Sequence, residues 1–108
     1  MRNDDCLVIV PAYNESQNIK KVLKDLNEYF ENILIIDDGS NDGSSDIIKS
    51  CNVPFIKHPI NLGQGAAIDS GFYFFLEDKN YDYVITFDAD GQNRAIDSHE
   101  MIEVAKKN

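Results

Sequence analysis

Leu7-Val8-Ile9-Val10-Pro11-Ala12-Tyr13-Asn14-Glu15 is the stretch on which the fold turns. Four apolar residues, most of them β-branched, run without a polar interruption and stop at Pro11. That is the pattern of a short strand buried on both faces, not of one with a solvated side. Beyond it the period changes. From Ser16 onward Ile19, Val22, Leu23, Leu26 and Phe30 recur at helical spacing, with Lys20, Lys21, Lys24, Asp25 and Glu28 on the opposite face. Asn14 or Ser16 is placed to cap that helix.

Outward from this unit the alternation repeats. Ile33–Ile36 reads as a second buried strand ending at Asp37-Asp38-Gly39-Ser40, and a short helix over Ser44–Ser50 turns Ile47 and Ile48 inward. Phe55-Ile56-Lys57-His58 is a third, shorter strand. Gly63 to Glu77 is a helix whose small residues Gly65, Ala66 and Ala67 allow close approach to a sheet. Tyr83–Phe87 is a fourth strand ending at Asp88, and a last helix, about Asp97–Lys107, carries Met101, Ile102 and Ala105 on one face. A βαβαβαβα run of this kind predicts an α/β fold, a Rossmann-like open parallel sheet with helices on both faces and right-handed crossovers. Leu7–Val10, Ile33–Ile36 and Tyr83–Phe87 are its expected central strands. No repeat, low-complexity tract or linker divides the chain, so residues 1–108 read as one domain.

Composition narrows the function. The chain has 19 Asp and Glu against 10 Lys and Arg, a formal net charge of −9. Such a balance argues against nucleic acid as a partner, because phosphate-backbone binders need a basic face. It fits a soluble protein, or one that holds a cation in a carboxylate-lined site. Hydrophobic residues at 43% and aromatics at 10% support a packed core. The longest apolar runs, such as Phe72–Leu76, fall far short of the roughly 20 residues that span a bilayer, and Met1–Asp5 is polar. Cys6 and Cys51 form neither a disulfide framework nor a metal cluster, which fits reduced thiols in the cytoplasm. His58 and His99 are isolated and read as surface or loop residues.

In open α/β sheets ligands bind beyond the carboxyl ends of the strands. The four exits here read Pro11-Ala12-Tyr13-Asn14-Glu15, Asp37-Asp38-Gly39-Ser40, His58-Pro59-Ile60-Asn61-Leu62-Gly63-Gln64-Gly65 and Asp88-Ala89-Asp90-Gly91-Gln92. Turn chemistry explains the Gly, Asn and Ser residues, but not the gathering of Glu15, Asp37, Asp38, Asp88 and Asp90 at one edge. Asp88 and Asp90 flank one small residue, and two hard oxygen ligands suit Mg2+ or Mn2+. By itself Asp-x-Asp is a weak signal in an acidic chain, where it usually marks a solvated turn. Its place after a buried strand and before Gly91 strengthens it. Asn61-x-Gly63-x-Gly65 entering a helix has the form of an anion cradle, since helix N-termini present free N–H groups.

Taken in order, these motifs resemble family-2 glycosyltransferases. They are Val8-Ile9-Val10-Pro11-Ala12-Tyr13-Asn14-Glu15, Ile35-Ile36-Asp37-Asp38-Gly39-Ser40 with Asp42-Gly43-Ser44, Asn61-Leu62-Gly63-Gln64-Gly65-Ala66-Ala67 with Gly71-Phe72, and Phe87-Asp88-Ala89-Asp90-Gly91-Gln92. The likeness covers nearly the whole chain and is nearest to the branch with dolichol-phosphate mannosyltransferase and bacterial polyprenyl-phosphate sugar transferases. It implies a GT-A fold and inverting transfer of a sugar from a UDP- or GDP-linked donor to a lipid phosphate or a cell-surface glycan.

Carried across residue by residue, the resemblance implies that Pro11, Ala12, Tyr13 and Glu15 line the base and ribose pocket. Asp38, with Asp37, meets the base, and Asn61 and Gly65 belong to the donor loop. Asp88 faces the ribose or the metal, beside Ala89. Asp90 coordinates the Mg2+ or Mn2+ that bridges the diphosphate, and Gln92 lies beside the metal and the acceptor. Asn93-Arg94-Ala95 departs from the family's His and Pro at that point, which bears on the acceptor side. No carboxylate here can be assigned as the catalytic base, and the resemblance implies that the base and the acceptor half follow the Asp-x-Asp region. The chain therefore reads as the donor half of a longer enzyme, expected to be inactive alone. The full-length protein is expected in the cytoplasm, at the inner face of the membrane as a peripheral protein. Apolar surface on Phe72, Phe74 or Phe75 is expected to drive self-association.

Two other classes meet the same composition. A phosphoacceptor receiver domain is also small, acidic and α/β, but its Asp pair follows the first strand, where this chain has Pro11-Ala12-Tyr13-Asn14-Glu15. A non-catalytic nucleotide-binding or interaction module is the alternative, and an assay of sugar transfer beside nucleotide binding separates it from an enzyme.

Overall fold

The computed structural model describes residues 2–78 and 80–107. Strands β1 (Asn3–Ala12), β2 (Phe30–Asp38), β3 (Phe55–His58) and β4 (Tyr83–Thr86) form one parallel sheet in the order β3-β2-β1-β4. Between and after them run α1 (Ile19–Asn27), α2 (Ser44–Ser50), α3 (Gln64–Glu77) and α4 (Ala95–Lys106). This is the Rossmann-like α/β arrangement expected from the alternation, and it is consistent with the GT-A type.

The uninterrupted apolar runs are explained by two cores. Side chains along a strand point alternately to opposite faces. Cys6, Val8, Val10 and Ala12 join one cluster with Ile33, Ile35, Ile48 and Ile102 and with the buried face of α1. Leu7 and Ile9 join the other with Leu34, Ile36 and Ala67, where α3 lies. Burying one such aliphatic side chain contributes about 1.5–3 kcal/mol, so both clusters matter. The close approach of α3 comes from Ala67, fully buried, and Gly71, not from Gly65 or Ala66. A Cβ on Gly71 would meet Ile9 Cγ2 at 2.5 Å, whereas one on Gly65 would meet nothing within 4 Å.

Several boundaries differ from the sequence reading. β1 does not stop at Pro11. The Ile9 carbonyl accepts the Phe87 N–H at 2.9 Å, so the missing donor of Pro11 points to the same side, past the end of β4. Phe30 belongs to β2, not to α1, although it is fully buried in the same core as Ile19 and Leu26. Neither Asn14 nor Ser16 caps α1; Asn18 holds that position without a side-chain bond. β4 is at the sheet edge among the described residues, not in the centre. On α4 only Ile102 of the expected apolar face is buried, while Met101 and Ala105 are exposed. That helix starts early because Asp25 of α1 accepts the Ala95 N–H at 2.8 Å. Phe74 and Phe75 are half-buried against the second core, so exposed apolar surface on α3 falls on Phe72, Tyr73 and Leu76. Cys6 and Cys51 are free thiols, and burial pushes the Cys6 thiol up to about 12. No helix among the described residues is long and apolar enough to cross a membrane.

Candidate functional site

Because all four strands are parallel, their carboxyl ends open on one edge. A cleft of about 330 Å3 lies there. From the β1 exit it is lined by Pro11, Ala12, Tyr13 and Glu15, and from the β4 exit by Asp88, Ala89 and Asp90. Asp38 at the end of β2 and Asn61 in the β3–α3 loop complete the expected set. Gln64 and Ala67 also line it, unforeseen from the sequence although both lie inside a motif quoted above. Asp37, Gly65 and Gln92 are not in the lining.

The two adjacent aspartates of β2 point to opposite faces. Asp37, 1% exposed, accepts the Ser40 N–H at 3.1 Å and the Ser45 hydroxyl, closing the turn into α2. Asp38, 3% exposed, sits at the cleft and accepts four hydrogen bonds. His58 Nδ1 and the Leu62 N–H reach Oδ1 at 2.7 and 3.0 Å. The Asn61 amide and the Gly63 N–H reach Oδ2 at 2.9 and 2.8 Å. The loop that resembled an anion cradle is thus occupied by the protein's own carboxylate. Burial alone would raise the Asp38 carboxyl, but the donors from His58, Leu62 and Gly63 outweigh it and hold the group below the usual carboxylate range. His58 is therefore not a surface residue. It is 8% exposed, and its Nε2 lies 2.8 Å from Ser70 Oγ on α3.

Backbone geometry ties the exits together. Gly39, at φ +73°, lets the β3–α3 loop lie directly on the end of β2, since a Cβ there would meet the Ile60 carbonyl carbon at 2.3 Å. Asn14, at φ 53°, donates its N–H to Ser40 Oγ at 3.0 Å and accepts the Asn41 N–H at 2.9 Å. Asp42 accepts from the Ser44 hydroxyl and N–H and from the Ser16 N–H, and these bonds lower its carboxyl to about 2. The motif residues outside the cleft therefore serve to lock the first two exits to each other.

At the β4 exit Ala89 is buried, and Asp88 and Asp90 on either side of it are exposed. Asp88 Oδ1 accepts the Gln64 amide at 3.3 Å, and Asp90 Oδ1 accepts the Gln92 N–H at 3.0 Å. Glu15 is different: its Oε2 is buried without a hydrogen-bond partner among the described residues. The cleft lining contains Glu15, Asp38, Asp88 and Asp90 but, among the described residues, no Lys, Arg or His. Among the described residues no group of three or more His, Cys, Asp or Glu stands together as a complete metal cage. Asp88 and Asp90 could supply two hard oxygen ligands, a donor set that fits Mg2+ or Mn2+ completed by phosphate oxygens and water.

A family model described as Glycosyl transferase family 2 matches residues 7–108. An uncharacterized protein of Methanocaldococcus jannaschii is 36% identical over 103 residues, covering 90% of this chain and 45% of that protein. The UDP-N-acetylglucosamine–dolichyl-phosphate N-acetylglucosaminyltransferase of Methanococcus voltae is 36% identical over 114 residues, covering 89% of this chain and 45% of its own. An undecaprenyl-phosphate 4-deoxy-4-formamido-L-arabinose transferase of Pseudomonas syringae is 34% identical over 113 residues, covering 93% and 32% respectively. The chain spans less than half the length of these curated relatives.

Proposed function

The chain belongs to glycosyl transferase family 2, and from that premise we propose that its cleft binds a nucleotide-sugar donor together with Mg2+ or Mn2+, for transfer of the sugar to a polyprenyl phosphate. One observation carries the donor-and-metal reading. Glu15, Asp38, Asp88 and Asp90 line the cleft, and among the described residues no basic side chain does. Two like charges 4 Å apart repel by about 4 kcal/mol at an effective dielectric of 20, so a diphosphate needs a cation to enter such a cleft. The acceptor class is supported by the relatives, whose names specify dolichyl or undecaprenyl phosphate.

In this reading Pro11, Ala12 and Tyr13 form the wall for the base, and the half-exposed Tyr13 offers a ring face for stacking. Glu15 accepts a ribose hydroxyl, which satisfies an oxygen that has no partner among the described residues. Asp38 accepts a ring N–H of the base in place of the Asn61 amide, the one of its four donors carried by an exposed side chain. Asp37 braces that strand end through Ser40 and Ser45.

Asp88 and Asp90 hold the cation, and the Gln64 amide and the Gln92 N–H fix their orientation. When bound, the cation neutralises the charge that builds on the departing nucleoside diphosphate. Gly65 and Gln92 remain at the rim. Inversion requires attack from the far side of the sugar, either by an acceptor that a base deprotonates or by one already ionised. A lipid phosphate arrives ionised, so it asks for no base from these residues. An acceptor of that kind sets the protein at a membrane surface.

Calorimetric titration of UDP and GDP tests the reading. Binding of at least one nucleotide in Mn2+, at least about tenfold weaker in EDTA, is the expected result. Failure of both to bind in Mn2+, or binding indifferent to the ion, would overturn it.

A further inference from the structure

We propose that His58, seated on Ser70, is a positioning residue for the base-binding end of the cleft, acting through Asp38 and not on the ligand. The inference rests on the donor reading above. His58 is the last residue of β3, does not line the cleft, and bridges two other elements. Its Nδ1 lies 2.7 Å from Asp38 Oδ1 on β2, and its Nε2 lies 2.8 Å from Ser70 Oγ on α3. An ionised carboxylate only accepts, so Nδ1 carries the proton. In the neutral ring Nε2 then accepts the Ser70 hydroxyl, which fixes the tautomer.

The bridge controls the orientation of one carboxylate. Asp38 Oδ1 is shared by His58 and the Leu62 N–H, and Oδ2 by Asn61 and the Gly63 N–H. Pinning Oδ1 from the buried side leaves the Oδ2 edge toward Asn61, a residue of the cleft wall. Without the His58 donor, the carboxylate can turn, and the arch over Leu62 and Gly63 loses the fixed point it hangs on. The effect should stay local. The carboxylates at the phosphate end lie beyond β4, and the sheet order puts β2 and β1 between β3 and that strand.

Two amide substitutions separate the two ends of the imidazole. His58→Asn places an N–H donor near the position of Nδ1 and gives up Ser70, whereas His58→Gln places it near Nε2 and gives up Asp38. Calorimetry in Mn2+ should show His58→Gln binding UDP or GDP at least about tenfold more weakly, with inorganic pyrophosphate, which has no base, changed by less than about twofold. His58→Asn should stay within about threefold of wild type for both ligands. Ser70→Ala, which keeps the imidazole but frees one end, should show the same split at smaller amplitude, and it serves if His58→Gln fails to fold. In the ligand-free protein, amide hydrogen exchange at Leu62 and Gly63 should quicken in His58→Gln and not in His58→Asn. Parallel losses of nucleotide and pyrophosphate, equal losses in the Asn and Gln variants, or unchanged exchange at Leu62 and Gly63 would each overturn the proposal. A wild-type protein that binds neither nucleotide overturns the donor reading instead, and the exchange rates then decide the role of His58 on their own.

Discussion

Gly39→Ala probes the contact that closes the Asp38 end of the cleft. Gly39 sits at φ +73°, and an added Cβ would lie 2.3 Å from the Ile60 carbonyl carbon and 2.4 Å from the Asn61 nitrogen. Both are backbone atoms, so neither can swing aside as the end of a side chain does. Two costs add. A left-handed backbone costs a non-glycine residue about 1–2 kcal/mol, and overpacking a close contact costs about 1–3 kcal/mol. Gly43→Ala isolates the first, because Gly43 has φ +95° and a Cβ there would meet nothing within 4 Å. The difference between the two variants is therefore about 1–3 kcal/mol, and at roughly 4–8 °C per kcal/mol it separates their melting temperatures by at least about 4 °C. The displaced loop also carries the N–H groups of Leu62 and Gly63 away from Asp38, so nucleotide binding in Mn2+ should weaken in Gly39→Ala and not in Gly43→Ala. Thermal melts followed by circular dichroism, paired with calorimetry, read both effects. Equal melting temperatures for the two variants, with wild-type affinity in Gly39→Ala, would refute the loop-on-strand contact.

Two further predictions concern pH and the rim of the site. The Asp42 carboxyl is lowered to about 2, so its bonds to Ser44 and Ser16 stabilise the fold above about pH 4 and are lost as pH falls toward 2. In urea denaturation the stability gap between wild type and Asp42→Asn should be open at pH 6 and should narrow steeply as pH falls to about 2; a gap independent of pH would contradict the assignment. Gly65→Ala adds a Cβ into open space on α3, where Ala is favoured over Gly by up to about 1 kcal/mol. It should raise the melting temperature and leave nucleotide affinity unchanged, and a clear loss of binding would show that the backbone at Gly65 touches the donor.

The order of elements was legible because strands covered on both faces leave continuous apolar runs, and Leu7–Val10 and Ile33–Ile36 are such runs. Their true ends were not legible. Asn3 at the start of β1 is polar yet buried, and Pro11 looks like a stop until the end of β4 shows that its missing N–H has no partner to lose. Phe30 keeps the helical period of α1 by coincidence, since it fills the same core from the neighbouring strand. The start of α4 depends on Asp25, seventy residues earlier in the chain, and no local signal marks it. At the site, the strand exits pointed to Glu15, Asp38, Asp88 and Asp90 and the family resemblance added Pro11, Tyr13 and Asn61, and all of these line one cleft. What the exits could not tell was which of two adjacent aspartates faces the cleft, because that depends on the pleat. Nor could they show that the glycine loop folds onto Asp38. His58 and Ser70 belong to none of the matched motifs; the packing of α3 across β2 and β1 seats Ser70 against His58, and His58 in turn reaches that carboxylate.

As proposed, Asp88 and Asp90 hold a divalent cation on which nucleotide binding depends. Asp90→Asn tests it most directly, because the substitution removes a formal charge and keeps the oxygen that accepts the Gln92 N–H. In calorimetric titrations of UDP and GDP with Mn2+, the variant should bind at least tenfold more weakly, about 1.4 kcal/mol. Asp97→Asn, an exposed carboxylate on α4 paired with Arg94, should change affinity far less. Equal nucleotide affinity of folded wild type and Asp90→Asn in Mn2+ would contradict the account.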